Sequence, residues 1–233
     1  MHLNSIFFDT LPLVSKQYNL QEFINDFLDF SLVTFSINDP VEKSLNQELL
    51  KKILAKYQPS AKEDLFAKML TELLHDIDAR KDSQSCPDIL GEVYEMIFGE
   101  SPFILSWNVC LSTAALSLRL SNDNKGSDSL VHIDPMCGTG RILLAHMQVY
   151  NNRQTSYGIT PNPLFAKMAI LNLFLASKGR TEIMLTGANG EFVQSYTTSK
   201  TSIGIRILRD KSESRVWKIY EKLGWKHISF PKS

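Results

Sequence analysis

Cysteine is scarce and widely spaced. Cys86, Cys110 and Cys137 are odd in number and form no C-x-x-C pair, which argues against a disulfide framework or a zinc site and leaves buried free thiols as the reading. The five histidines contain no H-x-H or H-x-x-x-H pair, so no metal is expected. No apolar run reaches the length of a membrane span, and no basic segment leads into an apolar stretch at the start. Neither a membrane anchor nor a secretory signal is therefore expected, and a cytoplasmic location follows. Net charge is absent too: 25 Lys and Arg balance 25 Asp and Glu. A neutral total disfavours strong non-specific DNA binding by the molecule as a whole, so any nucleic-acid contact has to be local or borrowed from a partner. No internal repeat or low-complexity tract is present, and none of the nine prolines is next to another.

What is there suits a globular chain. Its 233 residues are 43% hydrophobic, enough for one large domain or a compact domain with a helical extension. Charge is unevenly spread: residues 1–100 hold 17 acidic against 9 basic side chains, and residues 206–233 hold 3 against 8. From about Leu20 to Arg80, "QEFINDFLDF", "VEKSLNQELLKKILAKY" and "KEDLFAKMLTELLHDI" repeat apolar residues at three and four, which predicts three helices. Asp39-Pro40 and Pro59-Ser60 punctuate them. After a polar connection, "DILGEVYEMIFGE" predicts a helix with Asp88 as N-cap and Gly99 as stop, and "SWNVCLSTAALSLRL" another with Ser106 as cap.

From Val131 the pattern alternates. Strands are predicted at Val131–Asp134, Thr155–Ile159 and Glu182–Leu185, with helices at Gly140–Tyr150 and Pro163–Ser177 between them, which implies a parallel sheet with crossover helices. Beyond Gly190, "TSIGIRIL" reads as a strand, "ESRVWKIYEKL" as a helix and "WKHISF" as a last strand. The expected division is a helical region at 1–85 and an α/β domain at 86–233.

The chemistry concentrates in "VHIDPMCGTGRILLAHM", where a strand runs into Asp134, a small-residue turn follows and a helix begins. Such a loop brings bare backbone to a ligand at a helix N-terminus, where unpaired N–H groups and the helix dipole favour oxygen-rich groups. The dinucleotide spacing G-x-G-x-x-G fails because Leu143 stands where the third glycine belongs, and a phosphate loop fails because Arg141 and Ile142 follow Gly140.

"DPMCGTG" resembles the S-adenosylmethionine loop of N6-adenine DNA methyltransferases, in particular the modification subunits of type I restriction systems and their phage and mobile-element relatives. "DILGEVYEMIFGE" is similar to the helix preceding that family's catalytic domain. "FILSWNVC", from Phe103, falls where the family has a Phe-Phe-Thr-Pro turn at the cofactor. "YGITPNPLFAKMAILNLFL" and "EIMLTGANGEF" resemble the second and third strands with their turns. The similarity covers roughly residues 86–195.

The resemblance implies a Rossmann-like methyltransferase fold, partial in this chain, behind an N-terminal helical region. It implies that Asp134, Pro135, Cys137, Gly138, Thr139 and Gly140 bind S-adenosylmethionine, that Thr160 and Asn162 approach its ribose, that Asn189 approaches its adenine and that Ser106 lies at the cofactor turn. DNA and a specificity or partner methyltransferase subunit are the implied partners.

Three positions depart from the family pattern. Thr160 replaces the acidic residue that accepts ribose hydroxyls; hydrogen bonds to a charged group contribute about 1.5–3 kcal/mol, so its loss implies weaker cofactor binding unless Asn162 or backbone compensates. Leu105-Ser106 replaces Thr-Pro and keeps only the hydroxyl. The [DNS]PP[YFW] turn that holds the target amine and stacks on an extruded adenine has no counterpart. No catalytic residue is therefore assigned, and either the chain belongs to a branch without that turn or another chain supplies it. The alternative function is a non-catalytic interaction protein that keeps the fold and binds a partner subunit or DNA.

Structural readings compete at each position. Asp134 suits a turn cap, and Cys137, with no histidine in the motif to activate it, suits a small core filler. In the basic tail, Trp217, Tyr220 and Leu223 are expected to face the core while Arg209, Arg215, Lys218, Lys222 and Lys226 are solvated; the competing reading is aromatic stacking on bases with phosphate neutralisation. The acidic N-terminal helices form a partner surface or a lid on the sheet, and their charge would repel DNA.

Overall fold

Asn19 starts the first long helix by accepting the Glu22 N–H on its side-chain oxygen, and Asp88 and Ser214 cap later helices in the same way. The computed structural model describes residues 6–37, 40–57, 62–81, 87–102, 104–120, 131–150, 154–176, 179–198 and 204–225. Their order is α1 (Ile6–Ser15), α2 (Leu20–Thr34), α3 (Pro40–Ala55), α4 (Lys62–Lys81), α5 (Ile89–Phe98), α6 (Trp107–Leu120), β1 (Val131–Asp134), α7 (Arg141–Val149), β2 (Thr155–Thr160), α8 (Pro163–Ala176), β3 (Arg180–Thr186), β4 (Phe192–Thr198), β5 (Ile205–Leu208) and α9 (Arg215–Lys222).

The strands form a five-stranded sheet in the order β1-β2-β3-β4-β5. β1, β2 and β3 are parallel, joined by α7 and α8, whereas β4 and β5 are antiparallel to their neighbours. The fully parallel expectation is thus corrected at β3. Residues 187–191 make a tight reversal, in which Gly187 N–H donates to the Glu191 carbonyl and Gly190 sits at φ 77°. So short a turn joins only antiparallel strands; a parallel connection needs a crossover of a dozen or more residues. α1 is unannounced in sequence because Pro12 interrupts its pattern. β4 was missed because hydroxyl side chains dominate it, and these are used: Thr198 Oγ1 accepts the Thr181 N–H. The strand expected in "WKHISF" lies, beyond Trp225, outside the described residues, as do Cys86, Phe103 and Lys226.

Strand alternation sorts the sheet into two faces. Gly158, Ile183 and Tyr196 look toward α7 and α8, while Ile159, Met184 and Tyr157 pack under Val216, Trp217 and Tyr220 of α9. The N-terminal helices join the first side, α2 and α4 lying on α8. Phe23, Phe27 and Phe66 share one apolar core with Leu171 and Ile183. The segment after α2 also guards an edge: Ile37 N–H donates to the Ile205 carbonyl and Ile205 N–H to that of Phe35, so β5 does not present an open ladder there. The regions 1–85 and 86–233 therefore share a core and a sheet edge.

α9 is docked by a buried carboxylate. Glu182, 1% exposed, accepts from the Ser214 hydroxyl at 2.6 Å and from the Arg215 N–H at 3.2 Å, placing negative charge at the helix's positive end. Leu223, expected in the core, is half exposed, because the helix ends at Lys222 and the chain turns away at Gly224 (φ 69°).

Candidate functional site

The loop from Asp134 to Gly140 leaves β1 at its carboxyl end. Asp134 closes a local turn by accepting the Met136 N–H at 3.0 Å, and Cys137 N–H donates to the Ile159 carbonyl at the end of β2. Gly140 is left-handed at φ 86°, and a Cβ there would sit 3.3 Å from Leu173 Cδ1. It permits both the turn and close packing on α8. Gly158 serves the same contact from below, since an added Cβ would meet Ile183 Cδ1 at 2.6 Å and Cys137 Sγ at 2.8 Å.

A buried carboxylate fixes the loop from outside. Asp88, the N-cap of α5, accepts from Gly91 N–H at 2.7 Å, from the Thr139 hydroxyl at 2.6 Å, from Arg141 Nε at 2.7 Å and from the Asn172 amide. Arg141 also donates to the Leu105 carbonyl at 2.9 Å and to Glu95 at 3.2 Å. Asp88 thus ties together α5, α7 and α8, and Arg141 extends the network to the segment before α6. The capping role of Asp88 is legible in sequence; its grip on residues more than fifty positions away is not.

A cavity of about 250 Å³ opens beside this assembly, lined by Asp134, Met136, Cys137 and Arg141 together with Pro102, Leu105 and Cys110. Burial raises the Asp134 carboxyl above the usual carboxylate range, against the lowering effect of the Met136 N–H. Burial also pushes the Cys110 thiol up to about 11 and the Cys137 thiol well above its ordinary value. Both cysteines are thus protonated at neutral pH and unsuited to nucleophilic work.

Of the expected cofactor residues, Asp134 and Cys137 stand in the cavity wall. Gly138, Thr139 and Gly140 are buried behind it, Pro135 is half-buried, and Ser106 is exposed beside Leu105 with its carbonyl accepting the Cys110 N–H. Thr160 Oγ1 accepts the Asn162 N–H at 3.2 Å, and the Asn162 side chain accepts from Leu164 and Phe165 N–H at 2.9 and 3.3 Å. These oxygens serve the turn into α8. Asn189 lies exposed on the β3–β4 turn, its N–H on Glu191. Asp134 and Cys137 in a half-open hollow are compatible with the aminocarboxyl end of S-adenosylmethionine, whereas Thr160, Asn162 and Asn189, expected at its nucleoside end, do not line that hollow. The volume agrees, lying below the roughly 300–1,000 Å³ of sites that enclose a whole drug-sized ligand. The strand order contributes as well: ligands of open α/β sheets settle where the order reverses, and this sheet runs from β1 to β5 without a reversal.

Among the described residues, no group of three or more His, Cys, Asp or Glu side chains is placed to hold a metal ion, and no helix is long and apolar enough to cross a membrane. Comparison of the chain with protein-family models, curated proteins and solved structures finds no match.

Proposed function

We propose that this chain is a relative of the N6-adenine DNA methyltransferases, with a partial Rossmann-like methyltransferase fold, that holds S-adenosylmethionine by its methionine end against the 134–140 loop. Methyl transfer by this chain alone is not part of the proposal, because its sequence contains no [DNS]PP[YFW] turn. The observation that supports this reading is the cavity, whose lining brings Asp134, Met136 and Cys137 of the glycine loop together with Leu105, residues of the two stretches that the family resemblance ties to the cofactor. The parallel unit from β1 to β3 supports the fold assignment. S-adenosylmethionine, when bound, supplies an activated methyl on a sulfonium. The chain's part is to bind and orient: Asp134 offers an acceptor to the ligand's ammonium group, and Arg141 holds the Leu105 side of the hollow in place. DNA and a partner methyltransferase or specificity subunit complete the reading.

Calorimetric titration and thermal shift with S-adenosylmethionine test it. Ligand at a hundred times its dissociation constant is expected to stabilise the chain by about 2.7 kcal/mol, and Asp134→Asn to weaken binding about tenfold. Absence of heat and of any shift at millimolar ligand ends the cofactor reading.

A second reading, a non-catalytic interaction protein on the same fold, is favoured by Thr160 and Asn162, whose side-chain oxygens already accept backbone N–H groups at the turn into α8. It predicts partner or DNA binding that is indifferent to S-adenosylmethionine.

A further inference from the structure

The sequence places eight of its 25 basic residues after position 205, and the fold decides where they go. Val216, Trp217 and Tyr220 turn inward onto the sheet, which leaves Arg215, Lys218 and Lys222 on the outer side of α9, all exposed. At 3.6 residues per turn these three fall within an arc of about 60° and span roughly 10 Å along the helix axis. Arg209 and Lys211 extend the group from the preceding loop; both are exposed, and Lys211 lies over the Trp217 ring at 5.6 Å. Of the three acidic residues in this stretch, Glu213 is paired with Arg206 at 3.1 Å, Asp210 accepts the Ser212 N–H, and Glu221 is exposed on α9 at the flank of the basic group. The ridge lies on the sheet face opposite α8 and the N-terminal helices, so the more acidic half of the chain is on the other side of the molecule.

We propose that this ridge is a contact surface for the phosphate backbone of duplex nucleic acid, and that the contact is independent of sequence. Roughly 10 Å corresponds to the axial rise of about three successive phosphates on one strand at 3.4 Å each. Trp217 and Tyr220 are buried, so they take no part in stacking on bases, and charge pairing with phosphates positions a protein without reading sequence. The proposal deepens the DNA part of the reading above and does not rest on the cofactor part.

Fluorescence anisotropy with a labelled 30-base-pair duplex tests it. For three phosphates, affinity is expected to fall about 40-fold between 50 and 200 mM salt, and equally for duplexes of unrelated sequence. The triple variant R215E/K218E/K222E is expected to lose more than tenfold in affinity at 50 mM salt with an unchanged melting temperature, while K43E/K51E on α3 binds as the parent does. Cofactor titration of the triple variant, unchanged from the parent, keeps this result separate from the methyl-donor reading. The proposal is overturned if the parent fails to bind the duplex at 50 mM salt or shows a salt dependence below that of one phosphate. Undiminished binding by the triple variant overturns it too, as does capture of phosphatidylserine vesicles in place of the duplex.

Discussion

Arg141 Nε donates to Asp88 Oδ2 at 2.7 Å, with both side chains almost wholly out of solvent. The pair joins the first helical residue after the glycine loop to the cap of α5, across 53 positions of sequence. A buried ion pair of this kind is costly to break from one side, because the remaining charge has no water to receive it.

Asp88→Ala is therefore expected to destabilise the fold by about 3–5 kcal/mol, measured as the free energy of urea unfolding. Replacing both partners, as Asp88→Ala with Arg141→Met, is expected to cost less than the sum of the single changes, since no charge is stranded. A loss under about 1 kcal/mol for the single variant would show that the loop is held by other contacts.

Gly158 tests whether Cys137 is a packing residue. Gly158→Ala forces a methyl to within 2.8 Å of Cys137 Sγ and 2.6 Å of Ile183 Cδ1, and overpacking of this type costs about 1–3 kcal/mol. Adding Cys137→Ala is expected to recover part of that loss. Equal stability of the single and double variants would mean that Cys137 does not bear on the strand.

Acid sensitivity should originate partly at His146. Its ring lies 4.2 Å from that of His132 and is 8% exposed, and burial first, then the charge of His132, lowers it from 6.5 to about 4. The folded chain keeps His146 neutral while the unfolded chain takes up a proton below pH 6.5. Stability from this group is thus complete above 6.5 and declines as pH falls toward 4, by at most about 3 kcal/mol. His146→Leu is expected to flatten urea stability plotted against pH in that window, with the remaining slope shared by His132, which burial also lowers. An unaltered slope would place the sensitivity elsewhere.

Glu182 is expected to control the seating of α9. Glu182→Ala removes the charged acceptor of the Ser214 hydroxyl and the Arg215 N–H, a loss of about 1.5–3 kcal/mol. Trp217, now 6% exposed, should shift its fluorescence to longer wavelength as the helix loosens. Emission that stays at the parent wavelength would show that the apolar contacts of Trp217 and Tyr220 suffice.

Much of the architecture is readable from local pattern. Asp88 and Gly99 bound α5 as their residue types predict, and strand and helix alternate from Val131 to Leu185 nearly as the apolar periodicity indicates. β4 escaped because Ser195, Thr197 and Thr198 look like loop residues until their neighbours are known: Ser195 meets Ser214, and Thr198 meets Thr181. Leu223 misled because helical phase was extended past Lys222, where the helix stops. At the candidate site, the Asp134–Gly140 turn was legible. That Thr160 spends its oxygen on the Asn162 N–H and Asn162 its own on the start of α8 was not, since a side-chain oxygen two residues before an N–H serves a turn and a ligand with the same sequence.

Sequence alone determined the parts whose causes are local: the helix caps, the left-handed glycine in a turn, the alternation that gives β2 and β3 two apolar faces, and the uneven distribution of charge. Tertiary structure decided how those parts meet. It made Asp88 the anchor of a loop fifty residues away and sent the chain after β3 back along the sheet's outer edge, whereas the inward Trp217 and Tyr220 and the solvated cations of α9 were already legible in the helical pattern. Each of these outcomes rests on burial and on buried charges finding partners, and both depend on which distant segments come together, a fact no short window of residues contains.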